Sequence, residues 1–520
     1  MRRTAIWMKK IINIFLCVTL ILLVFCSCQN GKTQTENPSE NEPVTEEATT
    51  AEQTKKNQVV TLGYYSHYSL NPFKTKSKTN KNVLSLVYDS LYKLDNKYSP
   101  QGFIAQSYEL NGKTLQVKLK DNITFSNGIA LTASDVVYSF NRAKKSPLYS
   151  ERLSNFSEAT TNMDGVIFNL KKTDIYAVNC LDFPIVQSGT ADDAHPIGSG
   201  RYVLNKKGKT YILNENKQYD LTEQMEQKQI KLLDINTTEN ELYLLQIGDL
   251  SFFYDDMSSA KEKSRVNANT VPIALNNLVF LGINNESELL SDKNIRNAIA
   301  YAIDKTTLAG NVYDLLAKPC KSVFNPDWSE AGIFEQTDIL PDTVQAASLL
   351  EKSGYKFAYD NNKFRSKNFE FLELNLIVSN EDSRKIQCAN LIKQQLESVG
   401  ISVKIEKLEY EDYKSRLQAG EFDLYIGETK LKPNMDLSVF FSKNGAANFT
   451  IDSKSTVANA YSDFISGKIN ISTFVQVFDE FKPFIPICYR YGMAYYSREL
   501  KYESTGNENN MFANIYSWSF

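Results

Sequence analysis

The stretch from residue 372 to residue 405 restricts the fold more than any other part of the chain, because strand and helix patterns follow each other there in order. A strand is predicted at 372–378, and the helix predicted at 382–399 ends at Gly400. A second strand with alternating apolar residues follows at 401–405. Two strands joined by a helix of this length pair in parallel through a right-handed crossover. The pattern therefore predicts an α/β fold that contains a parallel sheet.

A strongly amphipathic helix precedes this unit. Apolar residues recur at helical spacing from Ile295 to Ile303, and Ser291 is the predicted cap. Arg296 and Asp304 are its charged residues of interest, and we expect them to make capping or inter-helix contacts rather than ligand contacts.

Residues 82–143 combine a helix, a hairpin and a second helix within a short distance. The spacing of apolar residues predicts a helix at 82–92, and the alternation at 115–119 predicts a half-buried strand. Thr132 begins the sequence Thr-Ala-Ser-Asp, in which Asp135 lies three residues later. This arrangement is typical of a capping box at a helix N-terminus. We therefore predict a helix that starts at Thr132.

Four motifs in the same region carry a family resemblance. YDSLYKLD, GFIAQSYEL, TLQVKLKDNITFSNG and TASDVVYSF follow one another between Tyr88 and Phe140. Their order and spacing resemble the family 5 extracellular solute-binding proteins, which are the oligopeptide, dipeptide and nickel receptors of ABC importers. SDKNIRNAIAYAID and DTVQAASLLEKSGY, which begin at Ser291 and Asp342, resemble further motifs of that family. The resemblance covers nearly all of residues 59–520 and implies a binding receptor that is not an enzyme and needs no cofactor.

The resemblance also implies a two-lobed α/β fold of the periplasmic-binding-protein type, class II, with a subdomain inserted in lobe one. Residues 59–520 are too many for one ordinary core, which agrees with this expectation. The expected bounds are 59–95, 191–272 and 481–520 for the main part of lobe one, 96–190 for the inserted subdomain and 273–480 for lobe two.

The N-terminus has the pattern of an export signal. Basic residues precede a short apolar run at 11–25, and Ser27 stands directly before Cys28. The end of this run resembles a lipoprotein box, which implies a signal peptide at 1–27 and a lipid on Cys28; an uncleaved signal anchor is the alternative. Residues 28–58 are rich in Glu, Thr, Asn and Ser and contain no aromatic residue, so a disordered tether is expected. The expected location is the outer face of the bacterial cytoplasmic membrane.

Composition argues against several other functions. Loss of the signal peptide changes the formal charge from −3 to about −7, and no basic stripe is present, so no nucleic-acid partner is expected. His67 and His195 are the two histidines, too few for a His-rich metal site or for histidine-dependent nucleophilic catalysis. Four cysteines beyond Cys28 lack CxxC spacing and are expected to be buried free thiols, with a disulfide as the alternative. These cysteines are Cys180, Cys320, Cys388 and Cys488.

Candidate ligand contacts follow from the position of predicted strand ends. Open α/β sheets bind ligands beyond the carboxyl ends of their strands. By this rule the candidates are Tyr65, Ser66, His67, Tyr254, Asp255, Asn284, Asn285, Glu428, Thr429 and Lys430. Asn80 joins them because its loop resembles a ligand-facing loop of the family. A turn, a cap or a solvated position is an equally good interpretation of each residue.

The largest departure from the family lies where peptide receptors have a pattern like "g-w-x-x-D-Y-p-D-P". Glu428 stands at the position of the tryptophan and Leu431 at that of the amine-binding aspartate. The segment 428–434 is therefore expected to line the cleft on the side of lobe two and to set selectivity. Ordinary peptides should bind weakly unless Glu428 or Asp255 replaces the missing acid. A peptide, a modified peptide, a metal chelate and another solute stay open as ligands.

The expected partners are a peptide or peptide-like solute, ABC permease subunits with cytoplasmic ATPases, and the membrane through a lipid. The protein itself is expected to be a monomer. A lipoprotein that binds a signal without transport is the main alternative function. A secreted hydrolase is the weaker one, since the paired acids at 192–193 and 255–256 show no defined separation across a sugar site.

Overall fold

The structure is a computed structural model that describes residues 59–219, 225–235, 238–258, 268–334, 340–358, 363–503 and 505–520. The predicted signal peptide, the predicted lipidation site Cys28 and the predicted tether lie outside the described residues. Among the residues that are described, no helix has both the length and the apolar character needed to cross a bilayer.

The strands are short on average, with two exceptions near the middle and the end of the chain. They are β1 (Thr61–Tyr64), β2 (Tyr92–Leu94), β3 (Pro100–Gly102), β4 (Ala105–Asn111), β5 (Thr114–Leu119), β6 (Phe156–Thr161), β7 (Gly165–Leu170), β8 (Tyr202–Lys207), β9 (Thr210–Glu215), β10 (Gln229–Asp234), β11 (Phe252–Asp255), β12 (Asn269–Ile283), β13 (Ala317–Pro319), β14 (Ser366–Lys367), β15 (Glu370–Phe371), β16 (Glu373–Ser379), β17 (Ser402–Leu408), β18 (Leu424–Lys430) and β19 (Phe484–Tyr496).

The helices are concentrated in the second half of the chain. They are α1 (Lys78–Leu84), α2 (Ala133–Ala143), α3 (Thr238–Gln246), α4 (Lys293–Ala302), α5 (Lys305–Tyr313), α6 (Thr343–Lys352), α7 (Ser383–Ser398), α8 (Tyr410–Ala419), α9 (Ser438–Phe441), α10 (Thr456–Ile465) and α11 (Ile471–Phe481). Many of these helices begin at a side-chain cap. Asp304 Oδ1, for example, accepts from the backbone N–H of Thr307 at 3.0 Å.

One mixed sheet of 11 strands runs through the described residues. Its strand order is β17-β16-β18-β12-β19-β11-β1-β10-β9-β8, and β13 pairs with β19. β16 pairs in parallel with β17, which confirms the crossover predicted around α7. β1 pairs in parallel with both β10 and β11, so each half of the sheet contains parallel strands.

The two long strands β12 and β19 join the halves of this sheet. Near the start of β12, residues Asn269 to Ala274 pair with the last residues of β19. The same end of β19 also pairs with β11. Near its end, β12 pairs with β18 as well. We call β1–β11, α1–α3 and the chain after β19 lobe one, and β13–β18 with α4–α11 lobe two. The antiparallel pair of β12 and β19 is the hinge between them.

Apolar cores support both lobes, and one of them is shared, since Leu94 and Tyr98 of lobe one pack into a core of lobe two. The core of lobe one includes Leu62, Phe140 and Trp518, and it extends into a four-stranded sheet of order β4-β5-β7-β6, the inserted sheet. Lobe two has a core on each face of its sheet. Val279 of β12 points into one of these cores and Phe280 into the other, as the two-residue period of a strand requires.

Several local predictions are confirmed. Thr132 N donates to Asp135 Oδ2 at 2.9 Å, as in a capping box before α2. Asp304 caps α5, and Arg296 donates to the carbonyl oxygens of Leu290 and Phe481, so both charged residues make the contacts that were expected. The four cysteines named above are buried thiols in the described part of the chain.

Three local predictions are wrong. The helix predicted at 82–92 is α1, which runs from Lys78 to Leu84; Ser77 sets this early start by accepting from the Asn80 N–H at 3.1 Å. The cap of α4 is Asp292 rather than Ser291, since the Asp292 carboxylate accepts from Asn294 N at 2.8 Å. Finally, β18 continues to Lys430, so residues 428–430 lie within a strand and not after it.

Candidate functional site

The chain between Lys430 and Asp436, which we call the cleft segment, lies where lobe two meets lobe one. β18 ends here for local reasons, since Pro433 has no backbone N–H and Met435 has a left-handed backbone with φ 56°. Asn276, at the irregular point of β12, donates from Nδ2 to the carbonyl oxygens of residues 431 and 432 at 3.2 and 2.9 Å. The hinge strand therefore holds the cleft segment in place.

The first contact across the lobes joins the cleft segment to the chain after β19. Lys430 Nζ forms an ion pair with the buried Glu508 carboxylate. The other oxygen of Glu508 accepts from the backbone N–H of Asn276 at 3.1 Å. Burial opposes ionisation of Glu508, but Lys430 and these hydrogen bonds hold the pKa of Glu508 below its usual value. Glu508 is therefore a carboxylate at neutral pH, held between the hinge strand and the cleft segment.

The second set of contacts joins the cleft segment to the inserted part of lobe one. Asn434 Nδ2 donates to Asp174 Oδ2 at 2.7 Å, and Asn179 Nδ2 donates to the carbonyl oxygen of Pro433 at 3.3 Å. Nearby, the backbone N–H of Ile175 donates to the carbonyl oxygen of Ile465 at 3.0 Å. The ring of Tyr176 also packs against Trp328 and Phe464 of lobe two, so polar and apolar contacts both join the lobes here.

Asp174 differs from the other acids at this boundary. It is 5% exposed, and burial raises its pKa to about 7, because its hydrogen bonds do not offset the loss of water. No cation forms an ion pair with it in the described residues. Asp174 is therefore a group that can take up a proton near neutral pH as the lobes come together.

A third group of polar contacts lies beside the hinge. Arg490 Nη1 of β19 forms an ion pair with Glu428 Oε1 at 2.7 Å, and Lys385 Nζ is 3.6 Å from Glu428 Oε2. Burial opposes the charge on Glu428, but Arg490 and Lys385 lower its pKa below the usual value. Arg384 and Arg490 also donate to the carbonyl oxygen of Met257 in lobe one. Glu428 is thus paired with two cations beside the hinge.

A cavity of about 500 Å³ lies between the inserted part of lobe one and lobe two. Its wall on the side of lobe one includes Arg152, Lys172 and Asp174, and its wall on the side of lobe two includes Lys432 and Tyr461. This volume falls within the range of small-molecule sites. Since both lobes supply its walls, lobe opening would take the cavity apart.

Lys81 of α1 is a further charged group of the cleft. Its Nζ donates to Asn509 Oδ1 at 3.4 Å and lies 5.9 Å from the centre of the Tyr149 ring. Burial and the nearby Arg152 guanidinium lower the pKa of Lys81 to about 7.

The structure places the candidates of lobe one in several separate environments. Asn80 is buried and donates to the carbonyl oxygen of Tyr65 at 3.0 Å, so it organises the turn after β1. The hydroxyl of Tyr65 donates a hydrogen bond to Glu241. Ser66 is exposed, and its backbone N–H donates to Asp234 Oδ1. His67 packs against the rings of Tyr65 and Tyr68. Asn80 is occupied by structural hydrogen bonds, whereas Ser66 is open to solvent.

The remaining candidates are divided between the two ends of the hinge. Asp255 accepts from the backbone N–H of Met257 at 2.8 Å, and the buried hydroxyl of Tyr254 has no hydrogen-bond partner in the described residues. Asn284 caps carbonyl oxygens of residues 420 and 422, at the end of β18 opposite Lys430. Asn285 donates to the carbonyl oxygen of residue 483 in the same region. The structure therefore separates Asn284 and Asn285 from the cleft segment.

Sequence reasoning missed Glu508, Asp174 and Lys81. Glu508 lies in the polar run Asn507–Asn510. Because this run has no apolar periodicity, the sequence could have identified it as an irregular segment after the hinge strand. Asp174 and Lys81 carry no sequence signal, because burial gives them their properties. Among the described residues, no group of His, Cys, Asp and Glu has the arrangement of a metal site.

Comparison with known proteins gives a consistent result. The family model of the bacterial extracellular solute-binding proteins, family 5 (middle), matches residues 99–448. The oligopeptide-binding protein AppA of Bacillus subtilis (strain 168) is 24% identical over 430 residues, which cover 77% of this chain and 77% of AppA. The nickel-binding protein NikA of Staphylococcus aureus (strain NCTC 8325 / PS 47) is 26% identical over 408 residues, covering 72% and 77%.

The fold is also similar to solved structures. An ABC transporter substrate-binding protein from Sinorhizobium meliloti superposes with a TM-score of 0.71 at 18% identity, covering 87% of this chain and 98% of that one. The two lobes, the hinge strands and the inserted sheet therefore belong to a two-lobed fold of the periplasmic-binding-protein type. Members of the matching family are transport binding proteins and not enzymes. With a family model that covers most of its described residues, the chain belongs to the family 5 bacterial extracellular solute-binding proteins.

Proposed function

We propose that this protein is the extracytoplasmic substrate-binding lipoprotein of an ABC importer. It captures a peptide or peptide-like solute between its two lobes and delivers the solute to a permease. Family membership supports the general role in solute binding. Relatives named for oligopeptides, glutathione and nickel support a small solute, without deciding which one.

The observation that carries the proposal is the double contact of the cleft segment. Lys430 pairs with Glu508 on one side, while Asn434 donates to Asp174 on the other. Both contacts join lobe two to parts of lobe one that are distant in sequence. A solute bound beside them would add contacts that are present only when the lobes are closed, and ligands drive closure only through such contacts.

The hinge supports the same mechanism. β12 and β19 are paired along both lobes, with a change of register between Ala274 and Leu278. Such an irregular point lets a strand pair bend without losing its remaining hydrogen bonds. A rotation there would separate Asn434 from Asp174 and would also part the ring of Tyr176 from Trp328.

Attachment to the membrane through Cys28 is part of the proposal. The basic start, the short apolar run and Ser27-Cys28 support it at the level of sequence. Cys28→Ala is expected to release the protein into the medium or leave it unprocessed, and palmitate labelling of cells measures this directly. Labelling of the variant equal to that of the wild type would contradict the assignment.

Capture and closure can be tested with the purified domain of residues 59–520. Native mass spectrometry with a mixed library of tri- to pentapeptides and metal chelates identifies solutes that bind, and small-angle X-ray scattering then measures the radius of gyration. A bound solute is expected to make the domain more compact. A domain that binds solutes with no change in compactness would contradict closure. Uptake of the labelled solute by cells with and without the gene distinguishes transport from signal binding.

A further inference from the structure

The cavity between the lobes has an excess of positive charge. Lys171, Lys172 and Lys443 are exposed residues at its wall, and Lys432 lies deeper. Lys432 is paired with Asp436 at 3.0 Å. Lys172 and Lys443 make no ion pair within the part of the chain that the structure describes. One lobe supplies Lys172 and the other Lys443, so both line one cavity only when the lobes are closed.

The acids of the cavity do not balance this charge. Asp436 is committed to Lys432, and its oxygens also accept from the Tyr461 hydroxyl at 2.6 Å. Asp174 has a pKa raised to about 7 by burial, so it carries only part of a negative charge at neutral pH. Arg152 is paired with Asp182. Lys172 and Lys443 therefore remain as cations whose counter-ion is absent from the cavity wall.

A buried polar atom points to the same place. Asn434 is 5% exposed and lines the cavity, and its Oδ1 has no hydrogen-bond partner in the described residues. Leaving a buried acceptor without a donor costs free energy. A ligand with an N–H or O–H group next to its anionic group would satisfy Asn434 Oδ1.

From these observations we propose that the cavity between the inserted part of lobe one and lobe two binds the anionic group of the solute, a carboxylate or a phosphoryl group. Lys172 and Lys443 attract that group from the two sides, Asn434 accepts a hydrogen bond from its neighbour, and Phe441 and Tyr461 flank the apolar part. This assignment rests on the proposed function, because it needs lobes that close around a solute. It names the class of ligand, which is an organic anion rather than a free amine.

The test uses charge reversal at two exposed positions, Lys172→Glu with Lys443→Glu. Lys145→Glu with Lys414→Glu is the matched control, because these lysines are also exposed, one in each lobe, and lie outside the cavity wall. The probes are N-acetylated tripeptides with a free carboxylate, the same peptides with a C-terminal amide, and a set of sugar phosphates. Calorimetry with residues 59–520 measures the affinity.

Anionic probes are expected to bind the wild type at least about tenfold more tightly than the amidated peptides. The cavity variant should lose about tenfold for the anionic probes and nothing for the amides, while the control variant keeps the affinity of the wild type. The class of probe whose affinity falls in the cavity variant, tripeptides or sugar phosphates, identifies the source of the anionic group. Equal binding of acids and amides, an unchanged cavity variant, or no anionic probe that binds at up to about 1 mM would each overturn the assignment.

The two proposals fail in distinguishable ways. If neutral peptides compact the domain in scattering experiments while anionic probes do not bind, this assignment falls and the proposed function stands. If no solute of either class compacts the domain, the proposed function falls as well. The melting temperature of each variant shows that the exposed substitutions leave the fold intact.

Discussion

Two carboxylates, one half-buried and one buried, show how differently the hinge and the rim of this protein are built. Glu428, beside the hinge, is held by Arg490 and Lys385, and its pKa is lowered. Asp174, at the rim, accepts from an amide and a backbone N–H, and its pKa is raised to about 7. Glu428 is paired with cations beside the hinge. The raised pKa of Asp174 depends instead on burial where the two lobes meet.

This difference agrees with the mechanical demands on the two regions. The hinge must hold together whether the lobes are open or closed, so a paired charge is suitable there. The rim must come apart, and an acid that returns to water on opening regains its ordinary pKa. Substitutions in the two regions should therefore affect different measurements, and the expected effects decrease in the order below.

The largest effect is expected from Arg490→Met. It removes the main partner of Glu428, whose side chain is 13% exposed, and leaves Lys385 at 3.6 Å as the nearest cation. Loss of one partner of a buried ion pair costs about 3–5 kcal/mol in the free energy of unfolding. Urea denaturation measures this, with Arg498→Met at an exposed position as the control. Adding Glu428→Gln should recover part of the loss, and a double variant as unstable as the single one would contradict the pairing.

A pH-dependent effect is expected at Asp174. Its pKa is raised in the closed form, so its contribution to stability is fully present below about pH 4 and is lost as the pH rises to about 7. Over that window the wild type should lose about 2–4 kcal/mol relative to Asp174→Asn, which does not ionise. Unfolding of both proteins from pH 4 to pH 8 measures this difference. Parallel pH profiles for the two proteins would show that Asp174 does not titrate in this range, and Asp121→Asn at an exposed position is the control.

A smaller effect is expected from Lys430→Met. Glu508 then keeps the hydrogen bond from the backbone N–H of Asn276, and its pKa should rise as the ion pair is lost. The cost should be about 1–3 kcal/mol, because the Lys430 side chain is 38% exposed and water screens the pair. Urea denaturation at neutral pH measures it. The loss should shrink at low pH, where Glu508 takes up a proton; a loss that is constant with pH would argue against the pair.

The smallest effect is expected from Asn179→Ala at the rim. It removes the hydrogen bond to the carbonyl oxygen of Pro433 at 3.3 Å and the one to Tyr98 at 3.1 Å. The expected cost is about 1 kcal/mol. Scattering should show a more open domain, with the core of each lobe unchanged. Asn459→Ala, which removes a bond within lobe two alone, should leave compactness as it is.

Much of the fold could be predicted because its signals are local. The capping box at Thr132, the cap at Asp304 and the strand, helix and strand around α7 each involve residues close in sequence. Local signals were also misread at two helix starts. Ser77 starts α1 earlier than the apolar pattern indicates, and Asp292 replaces Ser291 as the cap of α4.

The candidate site was less predictable from the same information. The segment 428–434 was expected to line the cleft, and the structure brings its later residues against lobe one. Glu428, however, lies within β18 and faces Arg490, because the strand continues by hydrogen bonds with β12 that no local pattern reveals. Whether any of these residues contacts a ligand stays a prediction.

The sequence by itself determined the α/β class, the order of the elements and the resemblance to a family of solute receptors, because these depend on periodicity, capping and short motifs. Only the tertiary structure decided which charges meet. Lys430 and Glu508 are 78 residues apart, and Asn434 and Asp174 are 260 residues apart. The burial that raises the pKa of Asp174 arises from packing between distant segments. A pKa depends on the surroundings of a group in space, and those surroundings exist only after the chain has folded.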